Sequence, residues 1–296
     1  MKRFLLALAI GCFSLLVFSG IIEYCQLRVG NNYSYKYWYM EEHRDKIRTL
    51  LLGNSTIENS INPQLIGDST FNLASSYRWI YYDFQLLDKY ISDMPNLKQV
   101  IFGMNYPNPF HQSYHFSDSD NNDYEKHMYE KFMHIKYDDN SNHWLGLFRG
   151  YIDYRSLFVG HLCDSLGYEA VEGQSDLWQT EHNIDHNVIY NEHAQEELAE
   201  FTNYLKEMAR LCHLHKVRFI VITPPCHDSY IANVRQEGLD ILHGIIESVR
   251  SEYPVEYIDY LQDEEFRADS VYYNCSHLNA IGADMFALRV KKDFGL

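Results

Sequence analysis

Ile47-Arg48-Thr49-Leu50-Leu51-Leu52-Gly53-Asn54-Ser55-Thr56 is an apolar run that ends abruptly in a glycine and small polar residues. A mainly apolar segment of this length reads as a strand buried on both faces, and the glycine after it permits a tight turn. Three further segments have the same character, namely Gln99 to Phe102, Val217 to Ile222 and Val255 to Ile258, and Phe71 to Ser76 reads as a short strand and loop. Between them lie amphipathic stretches. Residues 77 to 91 place Trp79, Ile80, Phe84, Leu87 and Ile91 on one side, and residues 191 to 215 place Leu198, Phe201, Leu205, Met208 and Leu211 at helical spacing. Further helices are expected over about 232 to 250 and after Asn279. Strands alternating with helices predict a parallel sheet covered on both faces, a three-layer α/β/α doubly wound fold.

One stretch breaks the alternation. Residues 106 to 190 begin Pro107-Asn108-Pro109, pass through the polar run Ser117 to Asp123 and are rich in Tyr and His. This reads as an insertion, of the kind that forms lids or excursions. At the N-terminus Lys2 and Arg3 precede the uncharged run Phe4 to Ile22, which ends at Glu23. Nineteen such residues nearly span a hydrocarbon core, and the basic residues in front favour an N-in orientation. The expected organisation is a cytoplasmic tail (1–3), a transmembrane anchor (4–22), a juxtamembrane linker (23–45) and an extracytoplasmic domain (46–296). A cleaved signal peptide is the competing reading, although the run is long for one.

The chain has 296 residues with 41 acidic against 25 basic side chains, a formal charge of −16, so nucleic acid would meet a field of the wrong sign. The aromatic content, 25 Tyr and 16 Phe, and a hydrophobic fraction of 46% exclude a disordered chain. Four cysteines outside the anchor region, Cys163, Cys212, Cys226 and Cys275, form no CxxC pair and read as buried thiols or one incidental bridge. His213 with His215, and His182 with His186, lack a partner set for a metal, so no metal or other cofactor is expected.

Ligands of open parallel sheets bind beyond the carboxyl ends of the strands, which directs attention to the strand exits. The first exit is Gly53-Asn54-Ser55, where Ser55 is either a nucleophile or a helix N-cap. Another is Gly103-Met104-Asn105, whose carboxamide either donates to an oxyanion or stabilises the following turn. Near the C-terminus, Asn274-Cys275-Ser276-His277 offers His277 as a base, with a structural histidine as the alternative. Pro224-Pro225-Cys226-His227 follows another strand and brings His227 to the same edge.

These blocks, in this order, resemble the SGNH or GDSL hydrolases. Gly53-Asn54-Ser55 looks like the nucleophile block, Asn72 to Ser76 like the second, Gly103-Met104-Asn105 like the third and Asn274 to His277 like the Asp-x-x-His block. The resemblance covers about residues 46 to 296 and implies a flavodoxin-like SGNH fold. It implies catalysis by Ser55 and His277 with Asn274 in the orienting position, and an oxyanion hole from Ser55, Ser75 or Ser76, and Asn105. Three departures stand out: Asn54 replaces the first-block Asp, Ser75 or Ser76 replaces the second-block glycine, and Asn274 replaces the acid of the triad, with Asp269 as a distant substitute. His277-Leu278-Asn279 with Gly282-Ala283 is similar to a membrane-anchored bacterial branch that includes alginate O-acetylation proteins and the D-alanyl transfer protein of teichoic acids. That likeness implies an esterase or O-acyltransferase acting on a cell-envelope glycan, with a membrane acyltransferase as a possible partner. A catalytically inactive glycan- or partner-binding scaffold is the rival expectation.

Overall fold

The computed structural model describes residues 1–28, 30–76, 78–110, 125–126, 128–136, 162–175 and 194–296. Most of the expected insertion, including Ser117 to Asp123 and Trp144 to Phe158, and the His182 to His186 pair lie outside these residues.

Five parallel strands form the central sheet: β1 (Thr49–Leu52), β2 (Thr70–Asn72), β3 (Gln99–Gly103), β4 (Arg218–Thr223) and β5 (Glu256–Asp259). Their order is β2-β1-β3-β4-β5. The side-chain alternation of a strand divides the core in two. Leu50, Leu52, Val100, Phe102, Phe219 and Val221 face one layer, where helices α5 (Ile80–Tyr90), α6 (Ala194–Leu214) and α8 (Gln236–Arg250) pack. Leu51, Ile101, Ile220 and Ile222 face the other, which holds α3 (Ser55–Glu58), α4 (Pro63–Ile66) and α9 (Ala280–Phe294). A four-residue helix, α7 (Asp228–Ile231), follows β4. The strand order reverses direction between β1 and β3, and a crevice opens at such a switch point beyond the strand ends. Both Gly53 and Gly103 lie there.

A hairpin absent from the sequence expectations, β6 (Tyr272–Asn274) and β7 (His277–Leu278), precedes α9. Its strands are too short to show alternation in the sequence. It carries His277 on a tight antiparallel turn in place of the terminal loop expected.

The N-terminal region carries the expected apolar helix but differs from expectation in where the folded domain begins. Helix α1 (Lys2–Arg28) contains a 20-residue apolar stretch, Lys2–Ile21, long enough to cross a bilayer or to serve as a signal sequence. The next helix, α2 (Asn32–His43), is part of the folded domain, so the boundary expected at residue 46 moves to about residue 31. Tyr33, Lys36 and Met40 lie on one buried face at helical spacing. Tyr39 stacks on Phe71 of β2 with ring centroids 4.0 Å apart. The Asn32 carboxamide accepts from the amides of Leu162 and Cys163 (2.7 and 3.1 Å) and donates to Glu169 (2.6 Å). Lys36 is fully buried, and its ammonium meets Glu58 at 2.8 Å and also donates to the Ala74 carbonyl. A buried charge is tolerated only when paired and hydrogen-bonded. Removing one partner leaves the other unpaired, so Lys36→Met is expected to cost about 3–5 kcal/mol in denaturant unfolding of the full chain.

Candidate active site

The turn after β1 is shaped by contacts on three sides. Gly53 takes φ +128°, a conformation L side chains rarely adopt, and its N–H donates to Asp83 at 3.0 Å. Asp83 is in turn held by Arg78 at 3.2 Å, both side chains at most 1% exposed. Asn54 caps α3, since its Oδ1 accepts from the Thr56 N–H (3.0 Å) and hydroxyl (2.7 Å). The capping role that competed for Ser55 therefore belongs to its neighbour. From the far side, the Asn72 carboxamide reaches the carbonyls of Ile57 and Glu58 (3.2 and 3.3 Å) and so ties α3 to β2. Gly103 lets α3 come close to β3: a Cβ there would lie 1.9 Å from Ile57 Cγ1.

These contacts leave the Ser55 hydroxyl facing the hairpin, where Ser55 Oγ and His277 Nε2 are 2.8 Å apart. On the other side of the ring, Nδ1 is 3.0 Å from Asn274 Oδ1. That oxygen also accepts from the N–H groups of Ser276 (3.0 Å) and His277 (2.9 Å). Two main-chain donors fix the oxygen end of the carboxamide towards the ring, so Nδ1 carries the proton and Nε2 accepts from Ser55. Ser276 Oγ, 3.0 Å from Nδ1, shares that proton. Burial pushes the imidazole down to about 4, opposed by the charge of Glu58. The ring is neutral at pH 7 and able to accept a proton.

Ser55 and Asn105 lie at one edge of the sheet, each three residues beyond the paired positions Leu52 and Phe102. Asn105 does not use its side chain to stabilise the turn. Its N–H donates to Asn108 Oδ1 at 2.7 Å, while among the described residues its own buried Oδ1 has no partner and its Nδ2 no acceptor. The Ser55 N–H, at the first position of α3, is likewise accepted by no described group. A third donor was expected from Ser75 or Ser76, and the structure corrects this. The Ser75 N–H donates to the Gly53 carbonyl at 3.1 Å, and the Ser76 N–H donates to Glu58 Oε2 at 2.7 Å. Both amides serve the fold, which leaves the Ser55 N–H and the Asn105 carboxamide as the members of the expected set that donate to no described group.

Two further expectations resolve differently. Asp269 does not support His277; its carboxylate meets His227 Nε2 at 3.1 Å. His227 caps α7, with Nδ1 accepting from the Ser229 N–H at 3.1 Å, so this ring serves local structure. Sequence reasoning missed Asp83, Arg78 and Glu58. Each is a charge within an otherwise apolar or small-residue segment, a signal that becomes readable only once its partner is known.

No protein-family model matches the chain, and no curated protein matches it. Solved structures similar to it include a GDSL-like lipase from Bacteroides thetaiotaomicron VPI-5482, 10% identical, covering 89% of this chain and 98% of that one. A candidate acylhydrolase from Bacteroides fragilis NCTC 9343 is 8% identical over 87% and 94% of the two chains. A Streptococcus pneumonia protein described as a candidate platelet activating factor is 10% identical over 95% and 98%. All three have a TM-score of 0.44, a remote likeness, and the site rests on its own geometry.

The low basicity of His277 fixes the direction of a pH profile. Protonation removes the acceptor for the Ser55 proton, so the Ser55–His277 contact should be insensitive to pH around neutrality, and an NMR titration of the His277 ring should show protonation only near pH 4. A second expectation follows from Gly103: Gly103→Ala should displace Ile57 and with it α3, costing about 1–3 kcal/mol in thermal unfolding.

Proposed function

We propose that the chain is a membrane-anchored SGNH-type serine enzyme that handles an acyl ester on a cell-envelope glycan, as an O-acetyltransferase or esterase working through an acyl-Ser55 intermediate. The observation that carries this reading is the 2.8 Å contact between Ser55 Oγ and the Nε2 of a neutral, oriented His277. In the first half-reaction Ser55 Oγ attacks the acyl carbon while its proton passes to His277 Nε2. The Ser55 N–H and the Asn105 carboxamide receive the developing oxyanion, and the intermediate collapses with return of the proton to the departing alkoxide oxygen. In the second, His277 takes a proton from water or a sugar hydroxyl, which attacks the acyl-enzyme. Water gives an esterase and a sugar gives a transferase.

The neutral Asn274 bears on the rate. In a serine protease triad, Asp→Asn costs about 10⁴ in kcat because the histidine adopts the wrong tautomer. Here the two amide donors on Asn274 Oδ1 impose the productive tautomer, so the orientational part of that loss is avoided and the electrostatic part remains. The same neutral residue favours a second reading, an inactive scaffold that binds glycan or a membrane partner. Lys2 and Arg3 at the start of α1 support an N-in anchor with the folded domain outside the cytoplasm.

The deciding experiment treats the full chain in detergent with a fluorophosphonate and maps the adduct by mass spectrometry. The enzyme reading expects modification at Ser55, abolished in Ser55→Ala and slowed about 10²-fold or more in His277→Ala. Folded protein that takes up no probe would leave the scaffold. An acetyl-ester donor supplied with and without an oligosaccharide acceptor then separates transfer from hydrolysis by product mass.

A further inference from the structure

Glu58 ends α3, three residues beyond Ser55, and is 1% exposed. Its carboxylate joins three separate segments. Oε1 accepts from Lys36 Nζ of α2 at 2.8 Å, and Oε2 accepts from the N–H and the hydroxyl of Ser76 at 2.7 and 2.9 Å. Lys36 also donates to the Ala74 carbonyl. The Glu58 carbonyl accepts from Asn72 and from the Glu169 N–H at 3.3 and 3.4 Å. The titratable groups around the pair are Glu169, Asp164 and Cys163 from the 162–175 segment, and His277 from the hairpin that packs on α3. The Glu169 carboxyl, held by Asn32, is raised by burial and by the charge of Glu58.

As a stabilising device this arrangement is poor, because a buried ion pair seldom outperforms apolar residues of the same size. Its position is more informative. The proposed reaction generates an imidazolium at His277, and the residue hydrogen-bonded to Nδ1 has no charge to offer it. Glu58 lies on the same one-turn helix as Ser55, which packs against the strand bearing that ring, and its charge opposes the effect of burial on the imidazole.

We propose that Glu58 is a positioning residue of the Ser55–His277 pair. Held by Lys36, its carboxylate fastens the turn bearing Ser55 to the Ala74–Ser76 loop and supplies from the nucleophile's own helix the negative charge that Asn274 lacks. This inference rests on the enzymatic reading of Ser55 and His277. The proton route is unchanged, from Ser55 Oγ to His277 Nε2. Glu58 takes no proton and touches no substrate.

The test is a double-mutant cycle between Glu58→Gln and Asn274→Asp in the full chain, read as the maximal rate of fluorophosphonate labelling at Ser55. Glu58→Gln keeps an acceptor for Ser76 and removes the charge. The rate is expected to fall about tenfold or more in the parent and much less in the Asn274→Asp background, where a carboxylate already faces Nδ1. Equal losses in both backgrounds would make Glu58 purely structural and overturn the proposal, as would a folded Glu58→Gln protein that labels at the parent rate. If Glu58→Gln alone does not fold by circular dichroism, Lys36→Met/Glu58→Gln is compared with Lys36→Met, so that the two differ only in the charge at residue 58, with the same expectations. The imidazole of His277 supplies a readout independent of turnover. In Asn274→Asp protein its NMR titration should move to lower pH when Glu58→Gln is added, and an unmoved titration overturns the electrostatic role. Parent protein that never labels overturns the enzymatic reading instead, a result distinct from any of these.

Discussion

Ile57 lies where a side chain on residue 103 would have to be, and the position of the nucleophile turn depends on that contact. Because residue 103 is glycine, α3 settles onto the exit of β3, and Ser55 is carried to the switch point of the sheet. The other restraints act on the same short helix. Asn54 closes its N-terminal end, Asn72 gathers its last carbonyls, and Asp83 holds the amide of Gly53 just before it. A helix of four residues has too few internal hydrogen bonds to persist alone, so these outside partners give it a definite orientation.

Electrostatics around the site follow an uneven plan. The chain as a whole is strongly acidic, yet the charges nearest the nucleophile are sequestered in pairs, Lys36 with Glu58 and Arg78 with Asp83. Such pairs are expensive to desolvate and offset that cost only through additional hydrogen bonds. Both have them: Glu58 binds Ser76, and Asp83 binds Gly53. The imidazole faces a neutral carboxamide, and burial keeps it unprotonated. It is a weak base at rest, and the geometry supports it by direction more than by charge.

How far the sequence could be read depended on the range of each interaction. The strand of Thr49–Leu52 and its glycine were legible because a mainly apolar run is a local signal, and Ser55, Asn105 and His277 each follow such a run or precede a helix. Lys36 was not legible. A lysine among tyrosines reads as a surface residue, since burial of a charge requires a partner, and its partner lies 22 positions away on another element. The same ignorance misassigned Ser75 and Ser76. Their amides looked available only while the acceptors, Gly53 and Glu58, had no known place. The β6–β7 hairpin escaped notice because strands of three and two residues are below the length at which a period can be seen.

The junction between the first two helices sets a working radius. Helix α1 ends at Arg28 and α2, already part of the globule, begins at Asn32. Three residues span at most about 10 Å even when fully extended. The seven residues of α1 beyond Ile21 add about 10 Å more at the rise of a helix. With α1 set in a bilayer, the leash is short enough to keep the globule at the headgroups. Anything the globule acts on would then have to lie within that radius of the membrane.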